Sequence, residues 1–301
     1  MNLPKRIRIK GWQDAVEQMQ SYALEDLYAF FLAYESQNSE IPLDLLIQKM
    51  EHRLSTMKTS IHNGLKKPNI TDSGWINGGA FHMKQFTEKG HSLLGKDFSM
   101  MVSKILAVSE LNACMGRIVA APTAGSCGVL PGVLLSVAEK KHYRDHDLVK
   151  ALFVAGGIGE VISIRASLSG SNHGCQAEVG SASAMTAGAL VYLSGGDHEQ
   201  IESAAAFALK NILGLVCDPV AGRVEIPCIK RNVMGGCNAL ACAEMSLSGI
   251  KTLIPLDEVI DTMATIGDTL PCTLKETSLG GLAVSPSGKK MKLQTKLPRK
   301  E

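Results

Sequence analysis

The chain has 301 residues, of which 45% are hydrophobic, 20% charged and only 5% aromatic, with a net charge of +2. That length can bury a large core, as one large domain or two small ones, and the near balance of charge excludes a dedicated nucleic-acid binder. Eight cysteines follow a basic N-terminus, residues 1–10, that has no apolar segment behind it. This excludes a readable secretory signal and points to the cytoplasm, where reduced, clustered thiols bind metal or do chemistry more often than they form disulfides.

Residues 12–36 carry Trp12, Val16, Met19, Leu24, Leu27, Tyr28 and Phe31 at three-to-four spacing, which predicts a helix. The pattern repeats over 41–57 with Pro42 at its start, and the two predict an antiparallel pair. WINGGAF (75–81) reads as a loop. The polar stretch 62–100 has weak periodicity, with room for a helix near 83–89. A helix over 98–115 ends at Gly116. In APTAGSCG (121–128), proline and glycine break the chain into a turn that leads to a helix over 129–141. Thr123 and Ser126 in this turn, with free backbone N–H groups at a helix start, suit a substrate carboxylate. A purely structural turn with an N-cap is the competing reading.

A helix over 147–167 carries Gly156, Gly157 and Gly159, each costing about 1 kcal/mol in a helix and tolerated where packing is close. SGSNHG (169–174) is a break, and a small-residue helix follows over 178–193. Asp197 and Gln200 form a capping box for a helix over 197–213, which Gly214 ends. Further helices are predicted over 230–250 and 257–266. From Ser285 the chain reads as a basic, solvated tail, disordered at its end. Two uncharged runs, 118–138 and 179–196, are interrupted by Pro, Gly or hydroxyl residues and read as buried segments, with no membrane span expected. Strand signals are nearly absent. The expected fold is all-α or mainly α: a single helical catalytic domain with Gly-rich loops around the cysteines. Its regions are an N-terminal helical part (1–97) in the same domain, a core (98–284) and the tail (285–301).

Five of the eight cysteines fall within 175–242. Cys175, Cys217 and Cys228 each lie at a loop-to-helix boundary beside Gly or Pro, where a thiolate is presented uncrowded and its pKa is lowered. Three cysteines can anchor an iron–sulfur cluster and leave one iron open. Their spacing matches neither zinc-finger pairs nor ferredoxin runs, so buried inert cysteines compete with a shared metal site. Cys237 and Cys242 share no helix face and, with Cys114 and Cys127, read as packing positions. Cys272 after Pro271 is the reserve fourth ligand. Lys275-Glu276-Thr277, ahead of Gly280-Gly281, is either a substrate clamp or a surface turn. His173, beside Cys175, is a candidate for proton transfer against a structural role.

APTAGSCGVL (121–130), GCQAEVG (174–180), CDPVAGRVEIPCIKRN (217–232) and KETSLGGLA (275–283) resemble the α chain of iron–sulfur-dependent L-serine dehydratases, and the likeness covers 98–284. The resemblance implies a 4Fe-4S cluster held by Cys175, Cys217 and Cys228 and an L-serine ammonia-lyase that yields pyruvate and ammonia. It also implies a separate β subunit in a heteromeric assembly. Some single-chain members end in a cysteine, and this tail has none. Thr123, Ser126 and Lys275 become the candidates for gripping the substrate. The catalytic base is unassigned, with His173 and Lys275 as candidates. A related lyase acting on L-cysteine, or a helical scaffold with a structural zinc, are the alternatives. A pyridoxal-phosphate enzyme lacks a fitting lysine and phosphate loop.

Overall fold

The structure, a computed structural model, describes residues 6–295. Two helices replace the one expected over 12–36: α1 (Trp12–Ser21) and α2 (Leu27–Ser39). Ala23 turns into the left-handed region at φ 50°, and the Asp26 carboxylate accepts the Ala29 N–H at 2.9 Å, so a cap interrupts a continuous apolar pattern. α3 (Leu43–Lys66) outruns the predicted 41–57 because Ile61 and Gly64 continue its buried face. The WINGGAF segment is a loop only as far as Gly78, whose φ of 69° admits the turn. α4 (Gly79–Glu88) begins inside it, and the Glu110 carboxylate accepts its Ala80 N–H at 3.2 Å from both oxygens.

The remaining helices follow the periodicity more closely. They are α5 (Lys96–Ala113), α6 (Val129–Lys141), α7 (Asp145–Arg165), the single turn α8 (Gly170–His173), α9 (Ser181–Leu193), α10 (His198–Lys210), α11 (Cys228–Leu247) and α12 (Leu256–Thr269). The capping box of Asp197 and Gln200 is present at α10. The basic segment after Ser285 departs from expectation. Ser285 accepts the Gly288 N–H at 3.1 Å, Pro286 takes the first helical position, and α13 (Pro286–Gln294) forms. Residues 296–301, part of the expected tail, lie outside the described residues.

α9 is the centre of the fold. All of its side chains except Tyr192 are buried, as an uncharged helix of small and apolar residues allows, and it packs against α6, α7, α10 and α11. The second uncharged run of the sequence is therefore interior. One continuous hydrophobic core extends from Ile7 to Met263, and the N-terminal helices contribute to it. The described residues are mainly α-helical and contain no strand, only the isolated bridges Ile70–Asn77 and Cys217–Lys275. No helix among them is long and apolar enough to cross a membrane.

Two neighbouring glycines of α7 give opposite expectations. A Cβ on Gly157 would lie 2.4 Å from the Phe31 ring, whereas one on Gly156 would meet nothing within 4 Å. Gly157→Ala is expected to destabilise by about 1–3 kcal/mol through overpacking. Gly156→Ala is expected to stabilise by about 0.5–1 kcal/mol through helix propensity. Urea midpoints at constant m decide both, and a shared sign would contradict the packing described.

Candidate active site

The three cysteines singled out from the sequence come together. Cys175 sits between α8 and a π-helical turn over Gln176–Gly180, Cys217 lies on the loop after α10, and Cys228 opens α11. They are 1%, 2% and 6% exposed. Gly174, at φ 77°, lets the chain reverse between α8 and Cys175. The buried Gln176 then fixes the turn: its side chain donates to the Met263 carbonyl at 2.9 Å and accepts the Gly214 N–H at 2.8 Å. The Cys217 backbone is gripped on both sides, since its N–H donates to Leu274 O and its carbonyl accepts the Glu276 N–H, each at 2.8 Å. The KETS segment is thereby stitched to the cysteine loop, and Lys275 lies opposite Cys217 in an isolated parallel bridge.

Electrostatically the thiols act as one group. Cys217 donates to Cys175, which lowers the Cys175 pKa despite burial, and the Arg231 guanidinium lowers it further. That same hydrogen bond, with burial, raises Cys217. Burial pushes Cys228 up to about 12, aided by the charges of Cys175 and Glu178. Cys175 is the thiol poised to ionise first. Arg231 also donates to Val216 O at 2.8 Å and pairs with Asp218 Oδ1 at 2.8 Å, while Asp218 Oδ2 accepts the Leu282 N–H at 2.8 Å.

The other predicted residues divide. Thr123 points into the site and donates to Glu178 Oε1 at 2.8 Å. Ser126 is fully buried, with its hydroxyl turned back onto the Thr123 N–H (3.4 Å) and hydroxyl (3.2 Å), so it holds the turn closed. His173 turns away to α12, where it packs on Gly267 and its Nε2 lies 3.3 Å from Asp268. Cys272 is exposed, Cys114 and Cys237 are half-buried, and Cys127 and Cys242 are buried in the main core; all eight cysteines are free.

Glu178, Asp218, Arg231 and Asn232 complete the site and were not among the residues proposed for it. Burial raises the Glu178 pKa, the Thr123 hydrogen bond opposes this, and Glu276 adds to it. A Cβ on Gly170 would lie 2.7 Å from Glu178 Oε2 and 3.1 Å from Cys217 Sγ, and one on Gly125 would lie 3.1 Å from Glu178 Oε1. The two glycines leave room where carboxylate and thiol face the same space. Asn232 joins the loops: it accepts the Gly128 N–H at 2.9 Å and donates to the carbonyls of Gly125 (2.7 Å) and Cys228 (2.9 Å). Asn232→Ala would leave the Gly128 N–H and the Gly125 carbonyl without their side-chain partner, each costing about 1–3 kcal/mol. It is expected to lower the unfolding free energy by about 3 kcal/mol. A denaturant midpoint that stays in place would show that the loops do not need this tie.

Among the described residues, no three His, Cys, Asp or Glu side chains are arranged to hold a single metal ion. The chemistry of the thiols does fit a cluster. They are three soft donors converging from three segments, with a guanidinium to offset their charge and a glycine-lined space alongside. The family described as "Serine dehydratase alpha chain" matches residues 15–283. The chain belongs to the serine dehydratase alpha chain family. Within it, the chain is 47% identical over 260 residues to the probable L-serine dehydratase, alpha chain, of Bacillus subtilis, covering 86% of each chain. It is 39% identical over 266 residues to the L-serine dehydratase, alpha chain, of Peptoniphilus asaccharolyticus, covering 88% of this chain and 91% of that one. The L-serine dehydratase of Mycobacterium tuberculosis is 46% identical over 188 residues, 60% of this chain and 40% of the relative. Serine dehydratase alpha chains thus match this chain over nearly their whole length, whereas that longer relative has more than half its length outside the match.

Proposed function

We propose that this chain is the α subunit of an L-serine ammonia-lyase that carries a 4Fe-4S cluster on Cys175, Cys217 and Cys228 and removes water from L-serine to give pyruvate and ammonia. The convergence of three buried thiols with Glu178 and the 123–126 turn, in a chain of this family, carries the reading. The bound cluster supplies a Lewis-acid iron, worth several kcal/mol in stabilising a departing oxygen. The chain's residues supply the rest.

The α-proton of serine needs a base. Glu178 is placed for it: Thr123 holds Oε1, while Oε2 faces the space kept open by Gly170. The proton transfer is assigned to Glu178 in preference to His173, which is engaged by Asp268. With the Thr123 hydroxyl committed to Glu178, Lys275 remains the group for the substrate carboxylate, and Ser126 holds the turn in shape. Loss of the α-proton and the β-hydroxyl leaves an enamine. It tautomerises to an imine, which water converts to pyruvate and ammonia. The α-chain names of the relatives and the length of the single-chain relative support a separate β subunit as partner.

Anaerobically purified protein is expected to contain iron and acid-labile sulfide, to form pyruvate from serine when its partner chain is present, and to lose activity in air with recovery on adding iron and thiol. Zinc without sulfide, or activity undiminished by hours of aeration, would sink the proposal. Faster turnover of L-cysteine than of L-serine would reassign the leaving group.

A further inference from the structure

At the opposite end of α6 from the 123–126 turn, α3, α4, α5, α6 and the start of α7 enclose a cleft of about 1040 Å³. Small-molecule sites occupy about 300–1000 Å³, so this cleft takes a ligand at the large end of that range. Lys58, Lys66, Lys84 and Lys104 line it together with His62 and His142, against the carboxylates of Glu139 and Asp145 only. The lysines come from three helices and exceed the facing acids, although the fold could have paired them more fully.

Lys104 is the informative one. Its side chain is 7% exposed, and among the described residues its ammonium has a single hydrogen-bond acceptor, Glu139 Oε2 at 2.6 Å, on a side chain that is itself 70% exposed. An ammonium has three donors, and a buried charge is costly unless it is paired and hydrogen-bonded. A half-satisfied cation at the wall of a large cleft is a seat for an anion. Lys58 pairs with Asp145 at 2.5 Å, and Lys84 reaches Glu88 only at 3.9 Å. Lys66 has no carboxylate partner among the described residues. The other walls are apolar: Ile61, Leu65, Leu135, Leu148 and the Tyr143 ring.

We propose that this cleft binds a small polyanion with an apolar or aromatic body, of the size and chemistry of a nucleoside diphosphate. The charged groups would meet Lys66, Lys84 and Lys104, and the body would lie on the apolar walls. The inference does not depend on the lyase reading, since none of these residues belongs to the cysteine site. Calorimetric titration of the full chain at physiological salt, with ADP, inorganic pyrophosphate and adenosine as probes, tests it. ADP is expected to bind with a Kd below about 1 mM, and the head and body alone about tenfold or more weaker. Lys66→Glu and Lys84→Glu, at exposed and partly exposed positions, are each expected to weaken ADP about tenfold or more without altering the circular dichroism. Lys104→Gln, at the buried position, should do the same if it folds. The absence of ADP binding overturns the proposal. Binding unmoved by the two exposed reversals does so too, as does pyrophosphate binding as tightly as ADP, which would reduce the cleft to a patch of charge.

Discussion

Cys228→Ala is expected to give a folded chain that is colourless and inactive, while Cys242→Ala keeps both colour and turnover. The two residues lie on the same helix, α11, and both are buried, so burial alone does not separate them. Their surroundings do. Cys228 is coupled electrostatically to Cys175 and Glu178, whereas Cys242 sits in the main hydrophobic core, with its sulfur 3.5 Å from Asn211 Nδ2 and 3.6 Å from Asn238 Oδ1. On the proposed reading, losing one of three thiolates would remove the cluster and with it several kcal/mol of leaving-group stabilisation. That is about a thousandfold or more in rate. Visible absorption and iron content read the first effect, and pyruvate formation reads the second. Retention of the chromophore in Cys228→Ala with its loss in Cys242→Ala would mean that the wrong cysteines had been assigned.

Glu178→Gln is expected to lower kcat by about 10²–10⁴ through loss of the base, with iron content, spectrum and thermal stability close to those of the parent chain. Glutamine keeps a side-chain carbonyl to accept the Thr123 hydroxyl, so the architecture is retained and the proton acceptor is lost. The comparison separates chemistry from scaffolding. If Glu178 serves only to fix the turn, glutamine would leave kcat within a few-fold. If it takes the proton, kcat falls while KM for serine changes little, because Lys275, assigned to the carboxylate, is untouched.

Helix boundaries were legible where a cap or a sharp turn punctuates the sequence. The Asp197–Gln200 box starts α10, which ends at Lys210, short of the expected stop at Gly214, and the proline–glycine turn at 121–128 precedes α6. Asp26 was harder to read as a cap, because apolar residues at helical spacing continue on both sides of it and hide the break at Ala23. The basic charges after Ser285 concealed α13, whose signal was the Ser-Pro start. In the site, the three cysteines were recognisable from the blocks around them. Glu178 was not singled out, although it is the only Lys, Arg, Asp or Glu between Arg165 and Asp197, a lone charge in a run that folds into the interior. His173 shows the opposite error. Adjacency to Cys175 in sequence counts for little once Gly174 reverses the chain and sends the imidazole against α12.

The stitch between Cys217 and the KETS segment has a consequence for the order of assembly. Cys217 depends on Leu274 and Glu276 for both of its backbone hydrogen bonds, and the buried Asp218 depends on the Leu282 N–H. A nascent chain that stops short of these residues leaves buried polar groups unpaired in the very loop that holds Cys217 and leads into Cys228. Synthesis delivers that segment after every helix from α1 to α12. The thiol pocket is therefore a late-closing part of the molecule: the helices around α9 can pack before it exists, and the proposed cluster would find its three thiols gathered only once residues up to Leu282 have been made.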